Sequence, residues 1–171
     1  GSEMCIRDSQ GSTLNLLGTA YSAGKLQIAG GDLHIAEKIE NASQIELPNY
    51  MTDILDNMKQ NTGIEEIAEY NMANVTNPTI CKTTTRAWCN RVNIFADLVS
   101  NGDISFNANV MTLGYKDPVV IASENGDITI QATNVNGNGL IYAPNGTVTI
   151  NVCDFDYKGS IIAKKINIQA T

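Results

Sequence analysis

Asn125-Gly126-Asp127-Ile128-Thr129-Ile130 is the stretch whose reading decides the fold, because the same phrase returns twice. It recurs as Asn101-Gly102-Asp103-Ile104-Ser105-Phe106 and as Asn145-Gly146-Thr147-Val148-Thr149-Ile150, and a fourth copy, Lys165-Ile166-Asn167-Ile168, lacks the Asn-Gly. An apolar lead-in ending in a small residue precedes three of them: Val120-Ile121-Ala122, Ile141-Tyr142-Ala143 and Ile161-Ile162-Ala163. Apolar residues two apart are strand patterning. Asn-Gly marks a tight corner, where a positive φ is expected of the glycine. An Asn-Gly hairpin in a meander or sandwich is the competing reading, but hairpins do not require near-equal spacing.

A second repeat lies N-terminal. Residues 14–28 overlay residues 33–47 at a constant offset of nineteen, so that Leu14 meets Leu33, Leu16 meets Ile35, Ala20 meets Ile39, Leu26 meets Ile45 and Ile28 meets Leu47. Fixed periods of this length are the mark of repeat architectures. The expected fold is therefore all-β: a single-stranded β-helix, or solenoid, of about 5–7 rungs. Ile104, Ile128, Val148 and Ile166 should form one inward column, and Phe106, Ile130, Ile150 and Ile168 the next. Residues 50–73 break the period with helical apolar spacing, which predicts one or two short helices. The second, over residues 64–70, would start from a capping box of Thr62 and Glu65. An irregular loop is expected from Asn74 to Arg91, so the insertion as a whole spans residues 50–91.

The chain has 171 residues, 43% of them apolar, enough for one core. Gly1-Ser2 reads as an expression scar and Glu3-Met4-Cys5-Ile6-Arg7-Asp8-Ser9 as translated sequencing adapter. Residues 1–12 are assigned to tag and adapter and residues 13–171 to a single solenoid domain, any export signal having preceded it. The net charge is −7, and without a basic patch no nucleic-acid partner is expected. No stretch is long and apolar enough for a membrane span.

The phrase Gly139-Leu140-Ile141-Tyr142-Ala143-Pro144-Asn145-Gly146-Thr147-Val148-Thr149-Ile150, followed by Gly159-Ser160-Ile161-Ile162-Ala163-Lys164-Lys165-Ile166-Asn167-Ile168, resembles the solenoid region of uncharacterised cell-surface, pilin-like envelope proteins of gut Firmicutes. Its rung style is similar to that of the bactofilins, polymer-forming bacterial β-helices. The resemblance covers most of residues 13–171 and is strongest after Ser100. It implies a cell-surface or scaffold role, here a structural or adhesive module of the bacterial cell envelope or the extracellular space; separately, a glycan or protein partner, or self-association through exposed end rungs, is expected. The resemblance brings no catalytic residue and no cofactor.

Candidate chemistry is sparse. His34 is the lone histidine, at an outward position matched to Asn15, with no catalytic partner and no metal-ligand spacing. Asp103 and Asp127 share a column, with Glu124 nearby and Asp154 and Asp156 expected one turn on. They are either solvated corner residues or a carboxylate site for cation binding or glycan cleavage in a carbohydrate-active β-helix. Cys81 and Cys89 enclose seven residues, which suits either a disulfide or two reduced thiols. Tyr70 and Trp88 form either an aromatic contact surface for a sugar or protein, or loop packing onto the coil.

Overall fold

The computed structural model describes residues 13–29, 32–40, 50–60, 65–67 and 73–171, with the backbone alone for residues 65–67. The elements run Thr13–Ser22 (β1), Leu26–Ala29 (β2), Asp32–Ile39 (β3), Met51–Lys59 (α1), Glu65–Ile67 (β4), Asn74–Val75 (β5), Thr79–Cys81 (β6), Thr85–Ile94 (β7), Leu98–Ser100 (β8), Ile104–Leu113 (β9), Val119–Ser123 (β10) and Ile128–Ala170 (β11). The last is a continuous ribbon that passes round the molecule more than once. Pairing between these strands is parallel, with Ile104 against Ile128 and Phe106 against Ile130, as the repeated phrase requires. The chain is a β-solenoid of about five turns.

Three walls surround the core. The lead-in strands β6, β8 and β10 stack with residues 139–142 of β11 to make the first. The first halves of β7 and β9 stack with residues 128–132 to make the second, and their second halves with residues 134–137 make the third. Ile104, Ile128, Val148 and Ile166 are buried, as are Phe106, Ile130, Ile150 and Ile168. The second wall alternates buried and half-exposed residues. The first is apolar on both faces because α1 covers it, the pattern of a sheet buried on both sides: Met51, Ile54 and Met58 pack on Val99, Ala122 and Tyr142. The Tyr50 N–H, at the start of α1, donates to the Tyr142 hydroxyl at 3.1 Å.

The N-terminal strands do not begin the coil. Thr13–Leu17 pair with residues 154–158, Ala20–Ser22 with Ile161–Ala163, and β2 with Ile166–Gln169, so they continue the winding where the C-terminal residues leave it. Asp154 fastens the joint, its Oδ1 accepting from both the backbone N–H and the hydroxyl of Thr13 at 3.2 Å. β3 stacks outside β1, and β4 pairs with β6 at the other end. β3 and β4 therefore lie at opposite ends of the described stack, on the order of 30 Å apart at ~4.8 Å per strand.

Four expectations are corrected. The nineteen-residue match holds for Leu14–Leu33 and Leu16–Ile35, then slips between Leu16 and Thr19, so Ala20 faces Lys38 and not Ile39. The irregularity lies at Gly18, where the chain turns a corner pressed against Gly159. Leu33 is 40% exposed, β3 being outermost among the described strands and pairing there only with β1; the pairs with Ile45 and Leu47 fall outside the described residues. Of the predicted second helix, Glu65–Ile67 form a strand, extended by pairing with β6, which overrides local helical spacing; the rest, with Thr62, lies outside the described residues. Residues 74–91 are not an irregular loop but regular strands. Their inward residues Thr85, Ala87 and Cys89 are small or polar, and Ala87 gains its packing partner from Phe106 on the next rung.

The Asn-Gly corners also differ in their reason. Positive φ occurs at Gly18, Gly114, Gly139 and Gly159, not at Gly102, Gly126 or Gly146. Successive Asn-Gly corners stack so closely that a Cβ on Gly126 would stand 2.7 Å from the Gly102 carbonyl carbon, and one on Gly146 2.7 Å from that of Gly126.

Candidate functional site

Asp103 and Asp127 lie on one corner column, exposed, and each is engaged by the next rung. Asp103 Oδ1 accepts the Asp127 N–H at 2.8 Å, and Asp127 Oδ1 accepts the Thr147 N–H at 2.7 Å. Thr147 takes the third place in this ladder. Asp154 and Asp156 stand on the third wall, so the expected extension of the acidic column does not form. Beside it runs an amide ladder, in which Asn125 Nδ2 donates to Asn101 Oδ1 at 2.6 Å and Asn145 Nδ2 to the Glu124 carbonyl at 2.8 Å. Ser123 closes the corner from inside, its hydroxyl donating to the Gly102 carbonyl at 2.8 Å. These residues form one seam of rung-to-rung hydrogen bonds. Among the described residues no cluster of three or more His, Cys, Asp or Glu side chains is arranged to hold a metal ion.

The Cys81–Cys89 bridge does not form. Cys81 sits in the buried column of small residues that includes Ser100, and its thiol donates to the Thr84 carbonyl at 2.9 Å as Ser100 Oγ does to the Thr83 carbonyl. Cys89 remains a thiol on the second wall, donating to the Arg91 carbonyl. It lies four extended residues beyond the Thr85 corner, ~13 Å along the strand, whereas a disulfide spans at most ~7 Å between Cα atoms.

Trp88 does not pack a loop onto the coil. It stands 68% exposed on the outer face of β7, with the Arg86 guanidinium 5.5 Å from its ring centroid. Its strand neighbour is Asn107, which reaches Gln131, so Trp88 heads a polar column on the second wall. Tyr70 lies outside the described residues. His34 is exposed and pairs with Asn15, as the repeat predicts. Sequence reasoning missed the role of Asp154, and with it the seating of the N-terminus. A signal was present: Gly18-Thr19-Ala20-Tyr21-Ser22 parallels Gly139-Leu140-Ile141-Tyr142-Ala143, one phrase shared by both halves.

Fold and surface together define a β-solenoid with a filled aliphatic core and hydrogen-bonded polar corners. No family model matches the sequence, and searches of curated proteins and of solved structures likewise found no match. Among the described residues no helix is long and apolar enough to cross a membrane.

Proposed function

We propose that this chain is a non-enzymatic structural or adhesive module that presents a binding surface, in a bacterial envelope protein. The observation that carries this is the use made of the corner carboxylates: Asp103 and Asp127 each spend an oxygen on the backbone of the neighbouring rung. A carboxylate pair for glycan cleavage needs its oxygens directed at a substrate across a cleft. The envelope setting rests on the resemblance of residues 139–168 to surface solenoids, and the exposed Trp88–Arg86 pair suits contact with a glycan or protein.

The test is to incubate the purified protein with a polysaccharide panel and measure reducing ends, beside the variant Asp127→Asn. No release is expected from either protein. Release by the parent that disappears in the variant establishes a carbohydrate-active β-helix instead. A second reading, a self-polymerising scaffold, is favoured by β3, which among the described residues pairs only with β1 and carries the half-exposed Leu33 at the end of the stack. Light scattering across a concentration series separates the two, with a constant mass expected for a display module and a ladder of oligomers for a scaffold.

A further inference from the structure

A groove of about 530 Å³ crosses the corner between the third and first walls. The glycines at this corner make it. Gly114 and Gly137 line it, and Gly137 lies so close to the neighbouring rung that a Cβ there would stand 2.7 Å from Leu113 Cβ, which leaves that part of the floor without a side chain. One rim is the loop of residues 114–118, where the chain leaves the coil between β9 and β10 with Tyr115 77% exposed. The opposite rim is Lys158 with its strand partner Leu17, itself 56% exposed. Thr112, Asn136, Asn138 and Asp156 complete the lining. The groove spans about four stacked strands, roughly 14 Å from first to last.

We propose that this groove binds a short neutral oligosaccharide, a reading that rests on the non-enzymatic display role and gives it a ligand. A pyranose presents an apolar ring face and a polar edge. Tyr115 and Leu17 supply exposed apolar surface, while two side-chain amides, a hydroxyl, a carboxylate and an ammonium supply both donors and acceptors for hydroxyl groups. Asn138 Oδ1 is buried behind the lining with no hydrogen-bond partner, an acceptor the protein leaves unused. An unmet buried acceptor is destabilising, and a ligand hydroxyl reaching it as the 114–118 loop adjusts would satisfy it. The single cation Lys158 is offset by Asp156 within the groove, and the chain carries −7 overall, so an anionic chain is disfavoured. Asn136, Asn138, Asp156 and Lys158 lie on the paired strand β11, while Tyr115 stands on the connection between β9 and β10.

The test is calorimetric titration of the full chain with maltohexaose, cellohexaose and chitohexaose at millimolar concentration, with reducing ends measured in the same samples. Binding of at least one is expected, weakened roughly tenfold or more by Tyr115→Ala and by Asn136→Ala, with unchanged melting curves verifying that both variants fold. No heat from any of the three overturns the proposal and leaves the display role standing. Binding that survives both groove variants, or that is lost on Trp88→Ala instead, also overturns it by placing the ligand elsewhere. Binding accompanied by rising reducing ends upholds the groove while refuting the non-enzymatic reading.

Discussion

Gly146 shows how the corners constrain single residues. With a Cβ standing 2.7 Å from both the Gly126 carbonyl carbon and Asp127 Oδ1, Gly146→Ala must push two rungs apart. A loss of about 2–3 kcal/mol is expected in urea denaturation. Thr85 has the opposite sign. Its hydroxyl is buried without a partner beside Ile104, so Thr85→Val should stabilise by about 1 kcal/mol in the same measurement. Burial also holds the Tyr157 phenol neutral, its pKa well above the ordinary value. The unfolded chain ionises near pH 10 while the folded one keeps its proton. Stability is therefore flat in this respect below about pH 10 and falls as pH rises above it. Melting curves from pH 9 to pH 11 should show a shallower decline in Tyr157→Phe, Tyr142 contributing in the same direction. At this scale the sequence was informative about which residues face inward, because bulky aliphatics alternate in the repeated phrases. It was misleading about the glycines, since lack of room between rungs and a positive φ leave the same letter.

Among elements, α1 is held by what it covers. A nine-residue helix is too short to persist alone in water, and Met58, fully buried on Tyr142 and its neighbours, is its deepest contact. In Met58→Ala, amide protection over Met51–Lys59 should fall about tenfold or more in hydrogen exchange, a loss of ~1.4 kcal/mol or more. Residues 128–150, in the aliphatic ladders, should keep theirs. The strands after Ser100 were readable because each repeats a phrase with large inward residues. β7 was not, because Thr85, Ala87 and Cys89 are too small to signal burial and depend on Phe106 beside them. β4 was not, because its extended form is imposed by β6 against helical spacing in Glu65–Ile67. Of the candidate site residues, Asp103 and Asp127 were correctly placed on one column. Their hydrogen bonds to the next rung depend on how corners stack, which a linear pattern does not encode.

The whole molecule depends on a joint between distant parts of the chain. β1 and β2 cover the edge of residues 154–169, and Asp154 fixes the start of β1 through Thr13. Removing residues 1–39 should expose that edge, and light scattering should then detect association that the full chain does not show at equal concentration. This joint lay beyond sequence reading because stacking order need not follow chain order, although the Gly18 phrase carried a trace of it. It also imposes a timetable on synthesis. Thr13 leaves the ribosome 141 residues ahead of the aspartate that will receive it, roughly 7 to 30 s at ordinary elongation rates. During that interval β1 has only β3 beside it and β2 has no finished partner among the described residues, so these strands join the coil only after partners made long after them.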